Sequence, residues 1–252
     1  ARLNMNVQPR KWIKAGVNLA ATMANSNVTS DGSSTAYVNP FYFSRFIGPI
    51  YPIYEHDASG AIKLDDKGDK IYDWTNRGAS ASPGRHVIAE TLWNDNLYKR
   101  NLVNARAYID ITFFEGFKFS VNGGYDFRNY LNSTYENPHV GDGAPAGRGS
   151  ITNYRYDTYN FNQLLTYVKS FNNHNIDLLL GHESYKNDYK YTYGMKQGLI
   201  AEGNAELINF TTINSLYTYS QAYRTEGYMA RANYNYNHKY YVSASFRRDA
   251  TS

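Results

Sequence analysis

The sequence contains no cysteine, which excludes disulfides and thiolate metal sites and lends slight support to an oxidising compartment, where stray thiols are a hazard. It also lacks any run near the roughly 18 apolar residues of a spanning helix, and any block of like charge. Net charge is +4 and the isoelectric point about 8.9, but Lys and Arg are scattered among acidic residues. That pattern reads as a solvated surface, with no nucleic-acid partner expected. Tryptophan and proline are scarce, at 3 and 7 in 252 residues, whereas there are 26 Tyr and 12 Phe. Such aromatics suit a pleated, half-buried surface, so an all-β protein is expected. A mean hydropathy of −0.62 would argue for a soluble domain if the elements were helical. A barrel escapes that test, because only every second residue of its strands need be apolar. The first residues lack a signal peptide's apolar core, so any export signal is expected to be removed or to lie upstream. The chain reads as cut at both ends, since it starts inside an alternating strand and stops without a terminating element.

Period-two alternation dominates what is there. Phe117, Phe119, Val121, Tyr125 and Phe127 alternate with Lys118, Ser120, Asn122, Gly124 and Asp126. Ala105, Ala107, Ile109, Ile111 and Phe113 oppose Arg106, Tyr108, Asp110 and Thr112. The same pattern covers 1–8, 13–23, 228–236 and 240–247. It is weaker over 151–169 and 175–193, where Leu164-Leu165 and Leu178-Leu179-Leu180 place apolar groups on both faces. The total is about eight strands, each long enough to cross a bilayer at a tilt, which takes roughly 9–11 residues.

Connections alternate between short and long. Pro9-Arg10-Lys11, Glu115-Gly116, Asn172-Asn173-His174 and Asn237-His238-Lys239 are expected as tight reversals. Residues 24–98, 129–150 and 194–220, rich in Gly, Asn, Ser and Asp, are expected as long loops. Short turns on one side and long loops on the other are the periplasmic and extracellular ends of an outer-membrane barrel. Aromatics flank the short turns, among them Trp12, Phe113, Phe114, Phe117, Phe171, Tyr236, Tyr240 and Tyr241, as a girdle at the lipid–water interface would require. The apolar set would then face outer-membrane lipid, and Arg106, Asp110, Asn122, Asp126, Arg231 and Asn233 a wet lumen. The fold expected is an antiparallel transmembrane β-barrel in a single domain over 1–252.

No catalytic, metal or cofactor site is expected. Asp65, Asp66, Asp69 and Asp73 have the acidity of a calcium loop but lack the closing Glu of an EF-hand, and read as a solvated hairpin tip. The six histidines show no ligand spacing, there is no Gly-x-Ser-x-Gly elbow, and the glycines of 141–149 stand apart from any strand-to-helix phosphate cradle. Among the first loop's aromatics, which include Tyr42, Tyr51 and Tyr72, the candidates for a substrate contact are Tyr54, Trp74 and Trp93. Rings of this kind stack on sugars or fill a contact with a lid protein; the more ordinary role of such rings is to pack a loop on itself.

The segment 227–236, GYMARANYNY, followed by 240–249, YYVSASFRRD, resembles a strand pair of SusC/RagA-type TonB-dependent transporters, with Ala250 where members commonly continue with Gly or Ser. Similar to other parts of that family are Asn162-Gln163-Leu164-Leu165-Thr166-Tyr167 with Leu180-Gly181-His182-Glu183-Ser184-Tyr185, Ser82-Pro83-Gly84-Arg85 with Ala89-Glu90-Thr91, and Glu115-Gly116-Phe117-Lys118-Phe119. The resemblance implies that these strands are part of a larger barrel in the outer membrane of a Gram-negative bacterium of the Bacteroidota type. It implies active uptake of glycan or peptide oligomers, a SusD-like surface lipoprotein as lid, and TonB acting through a plug outside this sequence. Two other readings are a complete eight-strand barrel acting as anchor, adhesin or enzyme, and a soluble carbohydrate-binding β-sandwich. The sandwich would need turn signals every 8–12 residues, which the first long loop does not give.

Overall fold

The computed structural model of the chain describes residues 1–28, 39–78 and 82–252. Eight strands form one antiparallel sheet in chain order: β1 (Arg2–Arg10), β2 (Ile13–Asn27), β3 (Asp95–Phe114), β4 (Phe117–Glu136), β5 (Arg148–Phe171), β6 (His174–Leu199), β7 (Phe210–Tyr236) and β8 (Tyr240–Thr251). Two short helices, α1 (Pro40–Phe46) and α2 (Val87–Trp93), lie between β2 and β3. Among the described residues β1 and β8 are the free edges of the sheet. An eight-strand barrel complete in itself would pair them, and a sandwich would need a second sheet, so the open meander fits a section of a wider barrel.

The short reversals form where residues tolerate a left-handed backbone. Gly116 has φ of +83°, and a Cβ there would come within 2.4 Å of the Val168 carbonyl oxygen. Asn172, Asn237 and His238 have φ of 48°, 50° and 53°, and Asn tolerates this region better than most residues. The first reversal sits at Lys11-Trp12 rather than at Pro9-Arg10-Lys11, because Arg10 still pairs with Ile13. Edge strand β1 absorbs Pro9, as edge strands can. All three long connections are shorter than alternation suggests: β2 pairs with β3 as far as Asn27↔Leu97, so the first connection is 28–94 rather than 24–98. Pairing of β4 with β5 continues to Glu136↔Arg148, and of β6 with β7 to Leu199↔Phe210, leaving 137–147 and 200–209 as loops. Beyond the apolar zone both faces carry polar or tyrosyl groups, so alternation fades while the backbone ladder runs on.

Residues directly opposite one another share a face. One rung reads Ala15, Ile109, Val121, Gln163, His182, Tyr228, and the next Gly16, Tyr108, Asn122, Asn162, Glu183, Gly227. Followed this way, Arg106, Asp110, Asn122, Asp126, Arg231 and Asn233 all lie on one face. Five of them are paired along it: Arg106 with Asp126 at 2.6 Å, Arg231 with Asp177 at 3.7 Å, the Ser120 hydroxyl donating to Asp110 at 2.6 Å, and Asn122 donating to Asn162 at 2.7 Å.

The opposite face carries an apolar band, and its edges move steadily down the ladder. The upper edge runs from Met23 on β2 through Val103, Phe127, Tyr159 and Tyr228 to Phe246 on β8. Phe246 shares its rung with Ile13, about ten residues below Met23. The lower edge falls from Ile13 to Tyr240, about six residues, over the same six strand steps. At roughly 3.3 Å per residue and 4.8 Å per strand, these drifts correspond to strand tilts of about 50° and 35°, bracketing the roughly 35–45° of outer-membrane barrels. On β4 the band runs from Phe117 to Phe127, which at such a tilt spans about 25 Å along the membrane normal, the height of an outward apolar belt. Tyr125, Tyr159 and Tyr228 form an aromatic rim at its top, and Trp12, Phe171 and Tyr240, all exposed, one at its base.

β5 and β6 depart from this scheme. Gln163 and His182 stand on the apolar face, and Leu164 and Leu179 on the other. The two polar side chains satisfy each other, His182 Nδ1 lying 2.6 Å from Gln163 Oε1 and its Nε2 2.8 Å from Glu226 Oε1, as polar groups in a low-dielectric layer must.

Candidate functional site

β3 and β4 are 20 residues long and β7 is 27, about two to three times what a crossing needs, so the strands continue above the band and carry the loops on their tips. The fully buried apolar side chains of the described residues, Ala89, Val140 and Phe210, sit at this junction of strand tips and loops. Phe210, at the start of β7, packs against Tyr135 of β4 with ring centroids 6.4 Å apart.

Residues 54–72 fold as a small meander bridged at Tyr54↔Tyr72, His56↔Ile62 and Leu64↔Lys70. The acidic stretch caps its turns. Asp65 Oδ1 accepts from the Lys67 and Asp69 amides at 2.9 and 2.8 Å, and Asp57 Oδ1 from the Ser59 and Ala61 amides at 2.8 and 3.0 Å. These bonds hold both carboxyls below the usual carboxylate range, led for Asp65 by the Asp69 amide and for Asp57 by the Ser59 hydroxyl. Among the described residues no three His, Asp or Glu converge on a metal-sized position.

Helix α2 is fixed by an exchange at its start. His86 Nδ1 accepts from the Ala89 amide at 3.1 Å, so its Nε2 carries the proton toward the Ile53 carbonyl, 3.1 Å away. The Glu90 carboxylate accepts from the His86 amide at 2.9 Å and from Arg85 at 3.1 Å, and Arg85 also pairs with Asp142 of the next loop. Burial pushes the His86 pKa down and the Glu90 pKa up. The signs are opposite in effect: neutral His86 stabilises the loop above its usual pKa and loses that contribution as pH falls, whereas the burial cost of ionised Glu90 is relieved as pH falls. Arg77, buried between the rings of Phe43 and Tyr51 at 5.8 Å from each centroid, anchors the other end of the loop.

The exchange delivers Trp93, the last residue of α2, to the centre of an aromatic cleft. Its ring meets Tyr72 at 5.3 Å, Trp74 at 5.8 Å and His139 at 5.7 Å, all edge-on, and Tyr72 continues to Tyr54 at 5.2 Å. The cleft has a volume of about 1160 Å³, and its rim carries Asp65, Lys67, Asp69, Lys70 and Glu202. Tyr54, Trp74 and Trp93, singled out from sequence, all line it, together with Tyr72; Tyr42 and Tyr51 do not. Tyr135, His139 and Glu202 come from other loops and strands. His139 Nε2 lies 2.8 Å from Glu202 Oε1 and joins the two shorter loops across the cleft, a contact that nothing local in the sequence signals. Flat ring faces beside a mixed-charge rim can stack on a ligand and hydrogen-bond its edges.

No family model matches the chain. In sequence it is similar to the TonB-dependent receptor P3 of Formosa agariphila, 24% identical over 270 residues that take in 99% of this chain and 24% of the relative. In fold it is similar to the RagAB peptide transporter, with 18% identity and a TM-score of 0.74 over 99% of this chain and 27% of that one. It is similar also to the RagAB peptide importer in the "closed-closed" state, with 19% identity and a TM-score of 0.76 over 100% of this chain and 27% of that one. The chain thus spans about a quarter of the length of the proteins it matches. Its eight strands have the fold of a section of a SusC/RagA-type TonB-dependent receptor barrel.

Proposed function

We propose that the chain, with the fold of one section of a TonB-dependent receptor barrel, forms wall and outer loops of a SusC/RagA-like importer that takes up nutrient oligomers, glycans or peptides, across the outer membrane of a Gram-negative bacterium. The observation that carries this is the apolar band: about 25 Å high, tilted as a barrel demands, and backed by a hydrogen-bonded polar face suited to a hydrated lumen. The long strands above it and the aromatic cleft at their tips supply an outer antechamber in which substrate would first be held. In this reading a SusD-like surface lipoprotein would close over the loops, and TonB would act through a plug outside this sequence. Substrate recognition by Tyr54, Trp74 and Trp93 belongs to the same proposal.

Cells lacking the full-length protein are expected to lose accumulation of labelled oligosaccharides or peptides too large for passive pores. Dissipating the proton gradient should abolish accumulation in cells that have it. Uptake that survives both treatments would contradict an energised importer.

A further inference from the structure

Above the band the outward face loses its apolar character. The outward face becomes charged, with Arg155 and Asp157 on β5 and Lys186, Asp188 and Lys190 on β6, so this part of the sheet stands clear of hydrocarbon. On the inner face at the same level three successive rungs are rich in tyrosine: Tyr130 beside Tyr154 and Tyr191 beside Tyr219 on one, Tyr156 beside Tyr189 on the next, with further tyrosines above. Neighbouring rings lie close and tilted rather than stacked flat, Tyr156–Tyr189 at 4.8 Å, Tyr154–Tyr191 at 5.0 Å and Tyr191–Tyr219 at 5.3 Å. A hollow of about 480 Å³ opens over Tyr98, Tyr130, Tyr154 and Tyr156. A lipid girdle cannot explain these rings, since they point away from the outward face and stand above its apolar band.

We infer that this tyrosine wall is a second binding surface, distinct from the loop cleft, for uncharged oligosaccharide segments passing into the lumen; the inference rests on the importer reading. Three features favour that chemistry. Ring faces interleaved with phenol hydroxyls match a saccharide, which presents C–H patches and hydroxyls by turns. The strands are paired on both sides at this level, so no backbone edge is free to add a peptide strand, the usual way an extended peptide of varied sequence is held. Of the side chains on these three rungs from β3 to β7, the charged ones are Arg100 and Arg128, toward the β3–β4 side, and the Arg128 guanidinium is already engaged 5.0 Å from the centre of the Tyr156 ring. A polyanionic glycan would find little to meet its charge.

The test uses the full-length protein in detergent, with arrays of uncharged oligosaccharides, polyuronates and peptides as probes, and compares Tyr154→Ala/Tyr191→Ala with the unaltered protein. Capture of uncharged oligosaccharides, weakened about tenfold or more by the double substitution in protein that still shows the heat-dependent mobility of a folded barrel, is expected. If the alanine pair does not assemble, Tyr154→Phe/Tyr191→Phe keeps the rings, and a weakening of about threefold from the lost hydroxyls is expected. Unchanged affinity in the variant that folds, or capture of peptides or polyuronates in place of uncharged glycans, overturns the proposal. Cells expressing a wall variant separate the two readings. Energised uptake with tyrosine-independent binding sinks only the wall, whereas absence of energised uptake by the unaltered protein sinks the importer itself.

Discussion

Val121→Arg should cripple assembly of the protein into bilayers, while the neighbouring Asn122→Arg should leave it near normal. Val121 lies near the middle of the β4 span of the apolar band, on a rung with Ile109 and Ala15, and a cation there must reach out of hydrocarbon. The cost is about 2–4 kcal/mol near the midplane, a large part of the roughly 5–15 kcal/mol by which folded domains are stable. Asn122 is one residue away and on the opposite face. Its loss removes one hydrogen bond to Asn162, worth roughly 0.5–1.5 kcal/mol, but Glu183 stands on the same rung two strands along and offers a new cation a carboxylate. Urea unfolding of the full-length protein in liposomes measures both. A shift confined to Val121→Arg is expected, and equal loss at both positions would contradict the assigned faces.

Trp93→Ala should have the largest effect within the loops. The indole meets three rings at 5.3–5.8 Å, and edge-to-face contacts contribute about 0.5–1.5 kcal/mol each beyond the area they bury. Loss of all three should destabilise the first loop by about 1.5–4.5 kcal/mol. Trp74→Ala removes one of these contacts and should cost clearly less. Limited proteolysis distinguishes them: rapid cleavage within 39–94 is expected for Trp93→Ala and near-normal resistance for Trp74→Ala. If both loops resist equally, Trp93 does not hold the cleft together. A ligand-binding defect in Trp74→Ala with an intact loop would then show that the cleft recognises substrate directly.

Much of this architecture is legible in the sequence because a β-barrel writes its two faces into alternate residues. The clean alternation over 105–113 and 117–127 yields both the strands and their outward faces, and the turn residues Glu115-Gly116 and Asn237-His238-Lys239 yield the reversals. Legibility fails where the physical signal changes kind. Above Phe127 the outward residues become Asn129, Leu131 and Ser133 while the inner ones become Arg128, Tyr130 and Asn132, so hydropathy no longer separates the faces, and strand looks like loop. The tyrosine wall nevertheless leaves a trace there, in the Tyr-x-Tyr spacing of 154 and 156, of 189, 191 and 193, and of 217 and 219, which puts each set on one face. Gln163 and His182 blur the pattern differently: their burden is relieved by a partner on the next strand, and register across strands is not written locally. The cleft is legible only in part for the same reason. Aromatic content singles out Tyr54, Trp74 and Trp93, but their meeting with His139 and Glu202 depends on how α2 is locked by His86 and Glu90 and on which loops the ladder brings side by side.

The most direct test is a cysteine scan along β4, residues 117–136, in the full-length protein reconstituted in liposomes, read with a membrane-impermeant maleimide; this section of the protein has no cysteine of its own to interfere. Strict alternation is expected through Phe127, with Phe119, Val121 and Tyr125 protected and Ser120, Asn122 and Asp126 labelled. From Asn129 upward the outward positions should label as well. Uniform labelling along the strand, or protection that persists on the outward face past Ser133, would contradict a tilted strand that crosses about 25 Å of hydrocarbon and rises into an outer vestibule.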